Sequence, residues 1–203
     1  MNLRPYQLEC HEALLTAGMG AYIIAMATGT GKTVTMASYI DRYHHGSTVI
    51  WIAHRQELCA QAQQVAPINV HVVSKQTLHN RLKKYRRPDV LVIDEAHHSA
   101  AKTYRTIIET LKPPYLYGLT ATPIRGDNIR LDDLYDRIAF EYSLVQGIED
   151  KALCPVHVRQ VRTSVDLAQV RSRLGDFDIT DLKRAINVDA RNKLVAQLVD
   201  ESP

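Results

Sequence analysis

Short apolar runs alternate along this chain with longer segments of mixed character. Tyr22–Met26, Val49–Ala53, Val70–Val73, Val90–Asp94 and Tyr115–Thr120 read as strands. Val34–Tyr43, Gln56–Val65, Gln76–Tyr85 and Tyr104–Leu111 read as helices between them. Val90-Leu91-Val92-Ile93 is aliphatic without a polar alternate, as expected of a strand covered on both faces. Such alternation predicts an α/β fold, a parallel sheet with helices on both faces. In the second helix Leu58, Ala62 and Val65 form the stripe that faces the core. Beyond Pro155 the pattern weakens. Val156–Val161 reads as one more strand, and Asp178–Ala185 and Ala190–Val199 as short amphipathic helices. The expected division is one α/β domain over 1–155 and a remainder over 156–203.

Composition sets outer limits. With 203 residues, 45% hydrophobic and 23% charged, the chain is ordinary for a globular protein. No segment approaches the ~18 consecutive apolar residues of a membrane span, and Met-Asn-Leu-Arg-Pro has no signal-peptide pattern. Cys10, Cys59 and Cys154 are odd in number and far apart, which favours neither a disulfide framework nor a metal quartet and makes a reducing cytoplasm the default. His44, His45 and His98 read as surface or turn residues. The net charge of only +3 does not announce a nucleic-acid binder. Locally, Arg81, Lys83, Lys84, Arg86 and Arg87 form a dense basic run, readable as a solvated helix end or as a phosphate contact.

Candidate chemistry begins where the first strand ends. Met26-Ala27-Thr28-Gly29-Thr30-Gly31-Lys32-Thr33 joins a strand to a helix through a Gly-rich turn. Backbone N–H groups of such a turn cradle phosphates, the helix N-terminus adds positive potential, and Lys32 supplies a full charge. Gly29 and Gly31 permit backbone conformations that a Cβ would hinder. Thr33 is placed to hold Mg²⁺. Met26 stands where the general pattern has Gly, and the remnant alone also fits a plain strand–helix turn with an exposed lysine.

Two further strand ends narrow the choice. The run Val90–Ile93 ends in Asp94-Glu95-Ala96-His97, and carboxylates at the carboxyl end of such a strand lie where α/β sheets bind ligands. Asp94 is placed to hold Mg²⁺ and Glu95 to orient and deprotonate an attacking water. The bland alternative is a solvated turn with Asp94 as a helix cap. Tyr115–Thr120 leads into Thr120-Ala121-Thr122-Pro123, where Pro123 stops the sheet. Thr120 and Thr122 can reach His97 or the phosphate region. In isolation this is an ordinary turn.

Thr28–Thr33, Asp94–His97 and Thr120–Pro123 resemble motifs I, II and III of the superfamily 2 helicases and translocases of the DEAD/DEAH type. Leu3-Arg4-Pro5-Tyr6-Gln7 is similar to that family's adenine-recognition segment. Together these motifs look most like the group of type I and type III restriction motor subunits and excision-repair helicases. Matching positions imply a RecA-like first motor domain that binds ATP through Arg4, Gln7, Thr28, Gly29, Thr30, Gly31, Lys32 and Thr33. They imply Mg²⁺ on Thr33 and Asp94, catalysis by Lys32, Glu95 and His97, and coupling through Thr120 and Thr122. Ile50–Leu58 resembles motif Ia and Val73–Leu78 a later strand-binding segment, which implies nucleic-acid contacts from His54, Arg55, Ser74, Gln76 and Thr77, with Arg125 after the third motif. Tyr142–Pro155 resembles the exit from this domain, with Lys151 where Gly is more usual.

The resemblance implies a DNA-dependent ATPase, helicase or translocase, with RNA as another possible track. A second RecA-like domain, in the same polypeptide or a partner chain, would complete it. Residues 156–203 are too few for that domain, and Arg191-Asn192-Lys193-Leu194 is similar to the linker helix before it, so this chain alone is expected to be weakly active. The readings weighed against this are a non-catalytic ATP-binding regulatory module and the motor part of a restriction-type nuclease complex. Intact Lys32, Glu95 and His97 argue against the first, and no nuclease-type acidic cluster accompanies the motifs.

Overall fold

Five of the six strands in the main sheet are where the apolar runs place them. The computed structural model describes residues 2–53, 62, 66–122 and 133–156, with isolated residues between 172 and 196 beyond them. In chain order the first unit contains α1 (Pro5–Ala17), β1 (Gly20–Met26), α2 (Lys32–Tyr43), β2 (Val49–Ala53), β3 (Val70–Ser74), α3 (Lys75–Asn80), β4 (Val90–Asp94), α4 (Lys102–Leu111), β5 (Tyr115–Thr120), β6 (Arg137–Tyr142) and α5 (Leu144–Glu149). Single 3₁₀ turns stand at Leu82–Lys84 and Ala96–His98. The strands pair in the order β3-β2-β4-β5-β1-β6, and every pairing is parallel. The chain thus has the expected RecA-like α/β architecture.

Period-two side-chain alternation explains why both faces are covered. Tyr22, Ile24, Met26, Trp51, Val92, Tyr117 and Leu119 pack in one cluster with Tyr6, Cys10 and Leu14 of α1 and Met36, Tyr39 and Ile40 of α2. Their sequence neighbours Ile23, Ala25, Ile52, Leu91, Ile93 and Leu116 pack in the other with Leu78 of α3 and Tyr104, Ile107 and Leu111 of α4. A strand that feeds two clusters has no polar alternate, so its apolar run is continuous.

Three elements lack a clear signal in the sequence. Helix α1 buries Gln7 and His11 while Leu8 and Leu15 remain 41% and 47% exposed, so its apolar and polar positions form no clean stripe. Strand β6 pairs only with β1, through an irregular register, and carries Arg137 and Glu141 on its exposed side. Helix α5 has only six residues, but its Ser143/Gln146 capping box can be read in the sequence. The helix expected over Gln76–Tyr85 instead breaks after Asn80 into a 3₁₀ turn.

Val156–Pro203 forms a second compact unit, in which β7 (Ser172–Arg173) and β8 (Asp176–Phe177) pair antiparallel. The expected helix Gln56–Val65 lies outside the described residues apart from Ala62, which is buried. The strand Val156–Val161 and the helices Asp178–Ala185 and Ala190–Val199 also lie outside them, apart from Val156 and a few single positions.

Candidate nucleotide site

Parallel pairing in the order β4-β5-β1 puts three strand ends side by side. Asp94 closes β4 opposite Leu119, and Thr120 closes β5 opposite Ala25, one residue before β1 ends. The three motifs therefore leave the same edge of the sheet from three neighbouring strands, although about 90 residues separate the first from the last. Ser74 ends β3 at this same carboxyl edge.

The first loop is held open by two left-handed glycines, Gly29 at φ 85° and Gly31 at φ 83°. A Cβ on Gly31 would meet the Gln7 amide nitrogen at 2.8 Å, so the loop approaches α1 more closely than any other residue allows. Met26 is accommodated because position 26 still belongs to the strand. Its side chain is 1% exposed in the core, and only its carbonyl faces the loop. Lys32, half-buried, donates to that carbonyl at 3.0 Å and to Ala27 O at 3.4 Å. Burial lowers its pKa, while the nearby Glu95 and Asp94 carboxylates act to raise it. Thr30 and Thr35 spend their hydroxyls on the carbonyls of Ala27 and Gly31. Thr28 is exposed, and Thr33 is half-buried, its hydroxyl making no hydrogen bond among the described residues.

At the second loop Asp94 is buried, and Glu95 takes the left-handed conformation at φ 54°. The turn lets Asp94 Oδ1 accept the Glu95 N–H at 3.0 Å. Burial raises the Asp94 pKa, and the adjacent Glu95 charge raises it further. Glu95 Oε2 lies 3.3 Å from His97 Nδ1, which also lies 3.1 Å from the Thr120 hydroxyl. Thr120 Oγ1 in turn accepts the backbone N–H of Thr122 at 3.1 Å. A polar relay thus runs from Glu95 through His97 to the end of β5. Asp94 and Glu95 set two adjacent hard-oxygen carboxylates at this strand end, the donor chemistry that suits a divalent cation.

Gln7 is buried beneath the loop. Its amide oxygen accepts the Arg4 N–H at 2.9 Å and its nitrogen faces Thr30 O at 3.3 Å. Tyr6 also reaches Thr30 O, at 2.8 Å, and its ring stacks on Tyr142 at 4.0 Å between centroids. Arg4, exposed, donates to Ala152 O at 3.1 Å and lines a cleft of about 450 Å³ with Tyr6, Tyr142, Gln146, Asp150 and Lys151. The segment after β6 therefore packs on the Gly-rich loop after β1. Tyr142 O accepts the Ala27 N–H, and Leu153 Cδ2 stands 3.1 Å from where a Cβ on Gly29 would lie. Motif reading names Arg4 and Gln7 but gives no role to Tyr6 between them, and it does not place Tyr142, Ala152 and Leu153 at the site. The only sequence signal of those three is the exit segment Tyr142–Pro155. Lys151 adopts φ 57° there, the left-handed turn that Gly would favour.

Ser74 caps α3, accepting from Thr77 N and donating to Thr77 Oγ1 at 2.9 Å, while Gln76 and Thr77 are exposed. His54, Arg55 and Arg125 lie outside the described residues. One expectation is corrected. His44 is no surface histidine: it is 8% exposed, enclosed by Tyr39, Tyr115 and Tyr117, with Nε2 3.4 Å from the Tyr117 hydroxyl. The chain turns inward at the end of α2 and delivers the ring to an aromatic nest. His11 is buried as well, against Thr35 O and Tyr39.

With this geometry in view, comparison places the chain among known proteins. Residues 1–68 and 65–125 match the family described as type III restriction enzyme, res subunit. The chain belongs to that family. It is thereby a superfamily 2 motor domain. IRC3 of Saccharomyces cerevisiae, which carries the name of an ATP-dependent helicase, is 30% identical over 95% of this chain and 34% of its own length. The type I restriction enzyme EcoAI endonuclease subunit of Escherichia coli is 27% identical over 98% of this chain and 30% of its own length. The chain thus spans about a third of the length of these relatives. Among solved structures, the type ISP restriction-modification enzyme LlaGI, as a nuclease-deletion mutant with a DNA substrate mimic, superposes with TM-score 0.61 at 17% identity. That match covers 74% of this chain and 21% of LlaGI. The Sulfolobus solfataricus SWI2/SNF2 ATPase core with double-stranded DNA gives 0.54 at 20% identity, covering 64% of this chain and 34% of that one. At such identities these structures speak for the fold alone.

Proposed function

We propose that this chain is the ATP-binding half of a DNA-dependent ATPase, which hydrolyses ATP to ADP and phosphate to move along nucleic acid. The observation that carries the proposal is the convergence of Lys32, Asp94, Glu95, His97 and Thr120 at the carboxyl ends of three adjacent strands. Loop amides from Gly29 to Thr33 hold the β- and γ-phosphates, and Lys32 leaves the carbonyls of Met26 and Ala27 to pair with them. Arg4 and Gln7 take the adenine side. Thr33 and Asp94 hold Mg²⁺, which when bound neutralises charge on the phosphate oxygens. Glu95 orients the attacking water and accepts its proton. His97 keeps the Glu95 carboxylate in place and links it to Thr120 and Thr122, through which the nucleotide state reaches the rest of the motor. Gln76 and Thr77, with Ser74 behind them, face the nucleic-acid backbone along the same edge, and the family resemblance adds His54, Arg55 and Arg125.

Phosphoryl transfer also needs positive charge on the far side of the γ-phosphate. A second RecA-like domain, in the same polypeptide or a partner chain, would supply it. No helix among the described residues is long and apolar enough to cross a membrane. We place the protein in the cytoplasm, where Cys10, buried with its thiol pKa pushed up to about 12, and Cys154 stay reduced.

Phosphate release with and without single-stranded DNA tests this reading. The chain alone should bind Mg²⁺–ATP, turn it over slowly and respond little to DNA. Absence of ATP binding would overturn the nucleotide role. Brisk DNA-stimulated turnover by this chain alone would overturn the need for a second domain.

A further inference from the structure

The basic run after α3 has no part in the nucleotide site. Leu78 is fully buried, Leu82 and Tyr85 pack against the second core cluster, and Pro88 is buried. The Tyr85 hydroxyl is 3.1 Å from His71 Nε2 on the edge strand β3. These apolar anchors fix the backbone of residues 78–88 on the sheet. Between them Arg81, Lys83, Lys84, Arg86 and Arg87 are all exposed. Among the described residues none of the five makes a salt bridge within 4 Å, and only Arg87 is near enough to a carboxylate, that of Asp89, to lower its pKa. Asp89, the one carboxylate in the segment, spends an oxygen on the Thr48 N–H and hydroxyl, both at 2.7 Å. Lys75 lies apart from the strip, over the Tyr104 ring. A chain whose net charge is only +3 therefore concentrates five exposed cations on one ordered ribbon.

Place and spacing indicate the partner. Asp89 N bonds Thr48 O where β4 and β2 begin, so the ribbon runs to the amino edge of the sheet. The nucleotide loops leave the opposite edge, about 13 Å away along β4. One 3₁₀ turn and an extended stretch make the ribbon about 15 Å long, enough to lie beside roughly two or three successive phosphates of one strand, about 7 Å apart along the backbone. No aromatic ring on the ribbon is free to stack a base, because Tyr85 is held inward, and stacking is how single strands are gripped. We infer that the Arg81–Arg87 ribbon is a second nucleic-acid contact, which holds the phosphate backbone of duplex DNA without reading its sequence. This rests on the proposed reading for the choice of DNA as partner. It adds a contact on the side of the domain away from the strand-end loops, so the motor grips duplex while those loops follow the track.

The test compares wild type with a variant carrying Arg81→Gln, Lys83→Gln, Lys84→Gln, Arg86→Gln and Arg87→Gln. Fluorescence anisotropy would use a labelled duplex of about 25 base pairs between about 50 and 200 mM salt. Each phosphate no longer neutralised should lower the slope of log K against log salt by about 0.9, so two or three of them take about 2 off the slope and roughly ten-fold off the affinity. Affinity for Mg²⁺–ATP should be unchanged, which also shows that the variant is folded. A pair variant, Arg86→Gln with Arg87→Gln, gives a smaller loss of the same kind and serves if the larger one unfolds. Unchanged duplex affinity and slope in either folded variant would overturn the ribbon's role while leaving the nucleotide reading intact. A wild-type chain that binds ATP but neither duplex nor single strand would overturn both this contact and the DNA reading. Competition by poly-glutamate with DNA-like strength, or a greater loss on single strand than on duplex, would count against duplex DNA as the partner.

Discussion

At the scale of single residues, the site is made of charges that hold one another in place. Lys32 is desolvated and leans on two carbonyls, with Asp94 and Glu95 near enough to offset part of that cost. Lys32→Ala should weaken ATP binding by about 1.5–3 kcal/mol, roughly 10- to 150-fold in Kd, because the phosphates then lack their charge-assisted partner. Titration with a fluorescent ATP analogue measures this, and equal affinities would remove Lys32 from the phosphate site. Glu95→Gln preserves the side-chain shape and an acceptor for His97 but removes the carboxylate proposed as the base. Mg²⁺–ATP should still bind within a few-fold of wild type, while turnover of the motor completed by a second domain should fall by about 10²–10⁴. Normal turnover would exclude Glu95 as the base.

At the scale of elements, β5 shows how one strand serves both core and site. Gly118 sits mid-strand, where Gly is usually a weakness. Here the reason is a close approach, since a Cβ on Gly118 would lie 2.7 Å from the ring of Tyr135, which reaches back from the segment before β6. Gly118→Ala should therefore overpack the second cluster and cost about 1–3 kcal/mol, lowering Tm by several degrees. In a Tyr135→Leu background the same substitution should cost less, because the ring it offends is gone. Equal costs in both backgrounds would mean that Tyr135 is not what excludes a side chain there. The strand's other end carries Thr120, so displacement of β5 should also disturb the relay to His97.

At the scale of the whole molecule, buried histidines tie stability to pH. Burial lowers the pKa of both His44 and His11 from 6.5, with Arg42 adding to the effect at His11 and Asp89 opposing it at His44. The unfolded chain then takes up protons below about 6.5 that the folded chain resists, so stability present above that pH is lost as pH falls through the depressed folded values. Asp94 acts in the opposite sense, because its raised carboxyl pKa favours protonation in the folded state. Tm should drop between about pH 7 and 5 in wild type, and less steeply in His44→Phe, which keeps the aromatic nest but cannot titrate. Parallel curves would show that His44 contributes nothing to the pH response.

The sequence by itself determined the local terms. Continuous aliphatic runs specify strands covered on both faces, so β1 to β5 stand within a residue or two of their predicted bounds. Gly29, Gly31, the Asp94–Glu95 pair and Thr120 mark strand ends because turns and charges cannot continue a buried sheet. Elements that lean on distant partners were not legible. The mixed face of α1 becomes sensible only when Gln7 meets Thr30 and His11 meets Thr35, and β6 only when it closes against β1. Tertiary structure also decided that Tyr142 and Ala152 belong to the site and that His44 lies inside. Periodicity reports which face a residue turns inward. Which distant segment meets that face depends on strand order and packing, and no local pattern encodes either.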